Sequence, residues 1–369
     1  MSRTTSAGAA APVPPAAVGR LVAALRNRLI RLYRSLVPAP AAMLEMIMAA
    51  WFSQALNVAA RLGIADALAQ GPRSAQDLAA ALGANPDAMH RLLRVLAAEG
   101  VFERRADGRY ALNRLGAALR SDSPDSVRDF ARFLGGAPHW EHWAHLLDSV
   151  KSGKPCVDTL RGMPFFQYLE HDPQLAADFN GAMISVSNAA IAPVLGAYDF
   201  SRFSTVADVG GGHGRLLAAI LARHGRLSGL LFDLPEVVAG AAPVLAQAGV
   251  AQRCRVEPGS FFDGVPAGAD AYLLKHIIHD WDDERCLQIL GHVRKVVPPG
   301  GTLLLVELVL PPDGGRHPGN LLDLEMLASA GGRERTAQEY GALLARAGFR
   351  MRRCVPTVGP LSVVEAVPA

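Results

Sequence analysis

The segment with the clearest chemical signal is a glycine-rich loop after a short apolar strand. Asp208 and Val209 end that predicted strand, and the sequence GGGHG at 210–214 leads into a predicted helix. Glycines let a backbone approach a ligand closely, and the start of a helix offers free N–H groups. Four glycines in five residues are more than a tight turn requires, so we predict a ligand site here.

The loop does not match the dinucleotide-binding fingerprint G-x-G-x-x-G in either frame. Counted from Gly210, the third glycine would fall on Arg215, and counted from Gly212 it would fall on Leu217. S-adenosylmethionine (SAM) has no pyrophosphate, and its amino-acid end carries an ammonium group. Because an acid, Asp208, ends the strand before the loop, the pattern favours SAM over a dinucleotide.

A second acid follows the next predicted strand. Asp233 ends the run LLFD, and the dipeptide Leu234-Pro235 comes directly after it. An acid about twenty residues beyond such a glycine loop can accept both ribose hydroxyls of a nucleoside. Asp-x-Pro is also a helix-capping arrangement, so that role stays open. We favour the ribose, because two strand ends converge at this point.

A histidine follows a later strand, DAYLLK, where it would reach the same edge of the sheet. An imidazole such as that of His279 has a pKa near neutrality and can remove a proton from a phenol-like hydroxyl. A purely structural histidine is one alternative, and a metal set of His276, His279 and Asp280 is another. Residues three apart on a strand face opposite ways, so the metal set requires the strand to have ended. We expect no metal.

These residues need a scaffold that brings several strand ends together. After residue 203, short apolar runs alternate with helical stretches, which is typical of a parallel sheet with helices on both faces. The predicted strands are STVADV, GLLFD, DAYLLK and TLLLVE, and the helices include LLAAILARH, EVVAGAAPVLAQ, ERCLQILGHVRKV and one capped by Thr336 and Glu339. The last segments, FRMRRCV and LSVVEAV, predict an antiparallel pair at the sheet edge.

The N-terminal half predicts a smaller helical module. Ser74 and Asp77 form a capping box, residues 85–86 supply a cap and a first-turn proline, and residues 107–108 form the turn of a hairpin. Helix, helix and hairpin in this order indicate a winged helix. Residues 116–200 are predicted to be mostly helical and are rich in aromatic side chains.

Positive charge is concentrated at the N-terminus. Residues 1–40 hold six arginines and no acid, whereas the rest of the chain holds 31 basic and 34 acidic residues. We predict a flexible tail over residues 1–18, followed by a helix with one apolar face made by Leu21, Leu25, Leu29 and Tyr33. That face suits another helix, in this chain or in a partner subunit, although a membrane surface and a transit peptide are open alternatives.

The composition also bears on function and compartment. The slightly acidic body argues against binding of nucleic acid, although residues 74–110, with His90, Arg91 and Arg94, leave a DNA-binding regulator as a rival. Four separated cysteines argue against a zinc site or disulfides and favour a cytoplasmic protein. No uncharged apolar run reaches membrane-spanning length, so we expect no integral membrane contact.

From about residue 45 to the end, the sequence resembles the plant-type small-molecule O-methyltransferases and their bacterial relatives. The resemblance rests on six motifs in order: DVGGGHG, LFDLP, GSFFDGVP, LLKHIIHDWDDERC, PPGGTLLLVE and GGRERT. It implies a Rossmann-like α/β domain with a mostly parallel seven-stranded sheet and an N-terminal winged-helix dimerisation domain. We divide the chain into residues 1–40 (tail and basic helix), 41–120 (dimerisation), 121–200 (helical linker and acceptor pocket) and 201–369 (SAM-binding and catalytic).

The resemblance assigns roles to matching residues. Gly210, Gly212 and the loop beside Asp208 would hold the methionine part of SAM, and Asp233 with Leu234 would hold the ribose. Ser260 and Phe261 would flank the adenine, and Lys275 would lie along it. Many members of the family have Asp where this chain has Ser260. A serine can still bond the adenine amine, but without charge, so this departure concerns the affinity for SAM and not the identity of the cofactor.

The same resemblance makes His279 the general base of an O-methyltransferase and makes Glu307 and Glu334 the acids that orient it. A surface salt bridge with Arg333 or Arg335 is an alternative for Glu334. An acid beside an imidazole fixes its tautomer and stabilises the imidazolium. A SAM-binding relative that does not transfer methyl groups is a rival, and so is a magnesium-dependent enzyme that would use three nearby acids, Asp280, Asp282 and Asp283.

The acceptor pocket is assigned by resemblance as well. Its expected lining consists of Phe179, Met183, Trp281 and Met326. Methionine and aromatic side chains adapt to flat apolar ligands, although ordinary core packing explains each of them equally well. We therefore expect a homodimeric SAM-dependent O-methyltransferase that acts on a hydroxyl of a small aromatic or polyketide-like metabolite.

Overall fold

The structure is a computed structural model that describes residues 13–369, so residues 1–12 of the predicted tail lie outside the described part. The first described elements are helices and a hairpin: α1 (Ala16–Ser35), α2 (Ala39–Leu62), α3 (Ile64–Leu68), α4 (Ala75–Leu82), α5 (Pro86–Ala98), β1 (Phe102–Arg104) and β2 (Tyr110–Leu112). The helix α1 begins inside the predicted flexible segment, at Ala16 rather than after residue 18.

The predicted local signals of this module are confirmed. Ser74 and Asp77 form a reciprocal capping box at the start of α4, and Asn85 caps α5 ahead of Pro86. The strands β1 and β2 pair antiparallel across the predicted turn. The apolar faces of these elements meet in one core, which includes Leu78, Met89, Leu93, Phe102 and Tyr110.

The middle of the chain is helical, as predicted. It contains α6 (Arg128–Leu134), α7 (Ala137–Ala144), α8 (Leu146–Ser152), α9 (Cys156–Arg161), α10 (Phe165–His171) and the long α11 (Pro173–Ala197). A small core of its own holds these helices together, and its buried aromatic residues are Phe133 and Phe165.

The remaining chain alternates strands and helices: β3 (Thr205–Val209), α12 (Arg215–Arg223), β4 (Ser228–Asp233), α13 (Pro235–Val238), α14 (Ala241–Gln247), β5 (Cys254–Pro258), β6 (Ala271–Lys275), α15 (Asp283–Val296), β7 (Thr302–Glu307), β8 (Val309–Leu310), α16 (Gly319–Ala328), β9 (Arg335–Thr336), α17 (Ala337–Arg346), β10 (Phe349–Pro356) and β11 (Ser362–Pro368). The helix predicted over EVVAGAAPVLAQ is in fact two helices, α13 and α14.

A seven-stranded sheet organises this half, in the order β10-β11-β7-β6-β3-β4-β5. The strands β3 to β7 in the sheet run parallel, and β11 pairs antiparallel with both β7 and β10. The predicted Rossmann-like fold is confirmed. Apolar helix faces cover both sides of the sheet, so its central strands are buried.

The carboxyl ends of β3, β4, β6 and β7 meet at one edge of the sheet. The loops that follow them begin at Gly210, Leu234, His276 and Leu308. A separate parallel pair, β8 with β9, brings the GGRERT segment to the end of β7. This edge therefore gathers residues that lie far apart in the sequence.

By length and composition alone, two long helices, α2 and α11, are apolar enough to cross a membrane, a test that core helices of soluble proteins also pass.

The helices α1 and α2 expose apolar faces. The helix α2 exposes a run of large apolar side chains: Met43, Leu44, Met46, Ile47, Met48 and Trp51. The face of α1 defined by Leu21, Leu25, Leu29 and Tyr33 is exposed as well. Both faces are available for a partner.

Candidate active site

The loop after β3 has a backbone that only glycine adopts without strain. Gly210, Gly212 and Gly214 all have positive φ, at 69°, 60° and 75°. A β-carbon at Gly210 would come within 2.4 Å of Cδ1 of Ile277, and one at Gly211 would lie 2.6 Å from Cγ of Asp208. The loop is therefore close-packed against the segment after β6, and α12 begins directly behind it.

Asp208 lies beneath this loop and is 2% exposed. Burial raises the pKa of its carboxyl to about 7, the positive charge of Lys275 opposes that rise, and Asp233 adds to it. Burial also lowers the pKa of Lys275, which the carboxylates of Asp208 and Glu307 partly restore. A buried carboxyl in this state is stabilised by a cation that binds above it.

Asp233 forms hydrogen bonds to the segments that follow two neighbouring strands, β3 and β4. Its Oδ2 accepts a hydrogen bond from the backbone N–H of Gly212 at 2.7 Å, and its Oδ1 accepts one from the N–H of Leu234 at 2.7 Å. The N-cap position of α13 is occupied by Leu234, and no side chain caps that helix. The capping alternative is therefore not realised, and the carboxylate faces the glycine loop.

The expected adenine residues lie next to one another. The Ser260 hydroxyl accepts a hydrogen bond from the backbone N–H of Phe262 at 3.2 Å. Phe261 and Phe262 pack edge-on, with ring centroids 4.9 Å apart, and both rings meet the indole of Trp281. The indole Nε1 of Trp281 is buried without a partner, which leaves one hydrogen-bond donor for a ligand.

His279 lies in a 3-10 turn after β6 and is 6% exposed. Its Nδ1 donates to Oε1 of Glu334 at 2.7 Å, and its Nε2 lies 3.3 Å from Oδ1 of Asp280. Burial alone would lower the pKa of His279, but the negative charges of Asp280, Glu307 and Glu334 raise it to about 10. The ring is thus held in one orientation, with Glu334 bonded to Nδ1 and Asp280 close to Nε2.

Glu307 supports the histidine in a different way from the one expected. Its Oε1 accepts hydrogen bonds from the backbone N–H groups of Ile277 and Ile278, at 3.2 and 3.0 Å, and it makes no hydrogen bond to the ring of His279. Burial raises the pKa of Glu307 to about 7, while His279 opposes that rise. Glu307 anchors the turn, and Glu334 anchors the ring.

Glu334 is not part of a surface salt bridge, since it is only 2% exposed. Of its two neighbours, Arg333 lies near Glu339, and Arg335 pairs with Asp283 at 2.8 Å. Sequence reasoning missed the function of Arg335. It is buried and donates to the backbone oxygens of the turn that carries His279, and its place in GGRERT was the available signal.

Gly332 was missed as well. A β-carbon there would lie 1.9 Å from the carbonyl oxygen of His279, so only glycine fits. The next residue, Arg333, donates its backbone N–H to that same carbonyl at 2.8 Å. The double glycine of GGRERT thus lets two chain segments lie in direct backbone contact and sets the position of Glu334.

Two of the expected acceptor residues, Phe179 and Trp281, pack in an aromatic cluster. Phe179 packs against Phe133 and Phe165, with centroids 5.4 and 5.5 Å away, and Trp281 reaches the cluster through Phe166 at 5.4 Å. Met326 is buried on α16, whereas Met183 is 37% exposed. Sequence reasoning did not single out the neighbouring acid on α16. That residue, Glu325, accepts hydrogen bonds from His139, Trp143 and Ser329.

The acids of the magnesium alternative are engaged elsewhere. Asp282 caps α15 by accepting from the N–H of Arg285, and Asp283 pairs with Arg335 and Arg346. Only Asp280 of that set faces His279. These three carboxylates therefore do not converge on one ion.

A glycine loop at the carboxyl edge of a Rossmann-like sheet, with acids at the ends of the first two strands of that sheet and a carboxylate-bound histidine beyond them, defines a SAM-dependent methyltransferase. Residues 143–350 match the O-methyltransferase domain, and residues 44–122 match the O-methyltransferase dimerisation domain. The chain belongs to the O-methyltransferase family, and its cofactor is SAM.

Similar proteins come from biosynthetic pathways. Phenazine O-methyltransferase PhzM of Lysobacter antibioticus is 42% identical over 332 residues, which cover 90% of this chain and 97% of the relative. Mitomycin biosynthesis 6-O-methyltransferase of Streptomyces lavendulae is 39% identical and covers 87% and 92%. The crystal structure of NcsB1, an O-methyltransferase from neocarzinostatin biosynthesis, contains SAM and 2-hydroxy-5-methyl naphthoic acid. It is 36% identical, covers 86% and 96%, and has a TM-score of 0.72.

Proposed function

We propose that this enzyme methylates a hydroxyl, phenolic in character, on a small aromatic or polyketide-like metabolite, with His279 as the general base. The observation that carries the proposal is the 2.7 Å bond from Nδ1 of His279 to Glu334, which leaves Nε2, beside Asp280, as the ring nitrogen that can exchange a proton. The relatives described above act on phenazine- and mitomycin-type compounds, which supports an aromatic acceptor.

The residues at the sheet edge fit SAM. The loop with Gly210 and Gly212 would hold the methionine part of SAM. The carboxyl of Asp208 beneath the loop would favour the ammonium group of that part, because a buried carboxyl favours a nearby cation. Asp233 and the backbone at Leu234 would hold the ribose. Ser260, Phe261 and Lys275 would surround the adenine. When bound, SAM supplies a methyl group on a positively charged sulfur.

His279 then has a defined task. Because its pKa is raised to about 10, the ring must first lose a proton, and the neutral form then accepts the proton of the acceptor hydroxyl at Nε2. Glu334 stabilises the imidazolium that forms. Glu307 keeps the turn in place through two backbone bonds, so the ring does not have to reorganise during the reaction. Both acids are positioning residues for the base.

The acceptor would bind beside the aromatic cluster. Phe179 and Met326 offer flat apolar walls, Trp281 joins that wall to the adenine region, and Met183 extends it toward the surface. The contact between Trp281 and Phe166, at a centroid distance of 5.4 Å and a tilt of 32°, supports this arrangement, because it connects the two sides of the site. Such a pocket excludes water around the reacting hydroxyl.

We also propose a homodimer of cytoplasmic chains. The exposed apolar run on α2 falls within the dimerisation-domain match, and such a patch is larger than isolated surface residues would give. The four cysteines are all free, which suits a reducing compartment. In the DNA-regulator alternative, His90 would read bases, but its ring packs edge-on against Tyr110 at 6.4 Å.

Transfer of a labelled methyl group from SAM to a panel of phenols, naphthols and matched aryl amines tests the proposal. We expect the phenolic members to be labelled, and we expect His279→Ala to slow transfer about 10²–10⁴-fold. Affinity for SAM should change little. The melting temperature, measured on the same preparation, should fall because the buried pairing with Glu334 is lost, but the variant should remain folded at the assay temperature. A folded His279→Ala enzyme with near wild-type turnover would refute the role of the base, and labelling of amines alone would refute the hydroxyl acceptor.

A further inference from the structure

Two histidines and one glutamate converge beneath the site. One ligand atom each from His276, His279 and Glu307 all lie within 4.8 Å of one another. Nδ1 of His276 and Oε2 of Glu307 are 4.0 Å apart, which is too far for a hydrogen bond. The three groups face a common point without bonding to each other.

One polar atom at this point lacks a partner. Oε2 of Glu307 belongs to a fully buried side chain and has no hydrogen-bond partner. The other ring nitrogen of His276, Nε2, is also buried without a partner. Buried carboxylate oxygens in native proteins are normally paired. An unpaired carboxylate oxygen that faces two imidazoles therefore indicates a missing ligand.

His276 is also held in an unusual backbone conformation. Its φ is 53°, and among residues 13–369 it is the single non-glycine residue with positive φ. Such strain persists where the surrounding structure holds it, and it clusters at functional sites. Its backbone N–H donates to the carbonyl of Val306 at 3.1 Å, which fixes it beside the end of β7.

We propose that His276, His279 and Glu307 form a binding site for a divalent transition metal of the zinc class. Imidazole nitrogens and one carboxylate oxygen are the donor set that Zn²⁺ accepts. Two bonds of about 2.0–2.1 Å span about 3.4 Å at a tetrahedral angle. The 4.0 Å gap between His276 and Glu307 therefore closes with a movement of roughly half an ångström, and a separation at the 4.8 Å limit of the set closes by about 1.4 Å.

The surroundings of these ligands match those of metal sites. Glu334 accepts from Nδ1 of His279, which directs Nε2 as the ligand atom, and two backbone N–H groups hold Oε1 of Glu307. Carboxylate and backbone contacts of this kind orient ligands in proteins that bind metals. The carboxylates of Asp280 and Glu334 add negative charge that favours a cation, and burial keeps the pKa of His276 well below its usual value, so its ring is neutral.

Occupation of the site would inhibit the enzyme. The metal displaces the proton of Nε2 of His279 to the solvent and binds that atom. The proposed function assigns the acceptor proton to the same atom, so the inhibitory consequence rests on that function. Methyl transfer itself needs no metal. The site therefore makes a free transition metal a reversible inhibitor of this chain.

The test starts with chelator-treated protein and measures Zn²⁺ affinity by competition with a chromophoric chelator. We expect one Zn²⁺ per chain at this site. His276→Phe should weaken its binding by more than about 100-fold, because it removes a ligand rather than an outer contact. The same variant should keep wild-type methyl transfer and SAM affinity and should lose inhibition by Zn²⁺.

His145→Phe is the matched control, because it removes an exposed histidine that lies 3.0 Å from Asp148, a similar donor pair on the surface. It should bind Zn²⁺ like the wild type. The Co²⁺ form should show the bands of nitrogen and oxygen ligands without thiolate charge transfer, which excludes the cysteines.

Unchanged Zn²⁺ affinity or inhibition in His276→Phe overturns the site, and so does a wild-type chain that binds no Zn²⁺ or a Co²⁺ form with thiolate bands. If Zn²⁺ binds through His276 but the wild-type chain transfers no methyl group, the metal site stands and the proposed function fails. If methyl transfer is normal and Zn²⁺ does not bind, the proposed function stands and the metal site fails.

Discussion

Replacement of Glu334 by glutamine removes one charge from the hydrogen-bond partner of His279, the proposed base, and changes little else. The carboxylate accepts the Nδ1–H of His279 at 2.7 Å inside a site where both side chains are buried. A glutamine oxygen can accept the same bond, so the ring should keep its orientation and tautomer. Glu334→Gln therefore separates the charge of this contact from its geometry.

The magnitude follows from the difference between two kinds of hydrogen bond. A bond to a charged group contributes about 1.5–3 kcal/mol, and a neutral one about 0.5–1.5 kcal/mol. The loss is then about 1–1.5 kcal/mol, which is close to one pKa unit. The pKa of His279, raised to about 10 in the wild type, should fall by about one unit and stay elevated, because Asp280 and Glu307 remain.

The assay is kcat/KM against pH, which reports ionisations of the free enzyme. The rate should rise with pH as the imidazolium loses its proton. This acid limb should lie about one pH unit lower in Glu334→Gln and should disappear in His279→Ala. An acid limb at the same pH in Glu334→Gln, or one that survives in His279→Ala, would refute the reasoning.

The same ionisation predicts a pattern in stability. Because the pKa of His279 rises from 6.5 to about 10 on folding, its pairing stabilises the fold fully below pH 6.5, and this contribution is lost as the pH rises through 10. The unfolded pKa is the same in both proteins, so the difference in the free energy of unfolding between the wild type and Glu334→Gln should be present in full at neutral pH and below. It should disappear as the pH rises through about 9–10. Urea titrations at a series of pH values measure it.

Three further predictions concern the cofactor, the turn and the assembly. Asp233→Ala should weaken SAM binding about 10–100-fold, because charged hydrogen bonds to the ribose are lost; calorimetry on the folded variant checks this, and unchanged affinity would remove Asp233 from the site. Gly332→Ala should lower stability by about 1–3 kcal/mol and reduce turnover, because its methyl group meets the backbone of His279; a normal melting temperature and rate would contradict the packing. Ile47→Glu should shift the mass in light scattering from two chains toward one, and a wild-type chain that is monomeric yet fully active would contradict the dimer.

The central strands were predictable from the sequence because they are buried on both faces. The strands β3, β4, β6 and β7 therefore read as continuous apolar runs. The edge strand β5 (Cys254–Pro258) was not singled out, because the exposed Arg255 breaks any such run. The predicted helix over 236–247 divides at Gly240, where a β-carbon would meet the ring of His213 at 2.7 Å. The contact with His213 involves a loop distant in sequence, but the division itself had a local signal, because Gly240 and Pro243 lie inside the predicted helix.

The candidate site was likewise predictable only in part. The motifs identified His279, Glu334 and Asp233, but they could not reveal which atoms these side chains bond. The two hydrogen bonds from backbone N–H groups to Glu307 depend on where the turn after β6 lies in space. The close packing of Gly332 against the carbonyl oxygen of His279 depends on the approach of two segments that are far apart in the sequence. Such contacts are set by tertiary packing, which residue types and spacing do not encode.

The proton-handling residues and the aromatic cluster belong to different packing units. His279 and its acids are fixed by the sheet and its flanking helices, whereas Phe133, Phe165 and Phe179 belong to the small core of the helices between residues 128 and 197. Substitutions in the small core can therefore reshape the acceptor pocket while the base keeps its alignment. We expect directed evolution toward new acceptors to accumulate its changes there, with the sheet edge left untouched, so that substrate range diversifies on a constant catalytic frame.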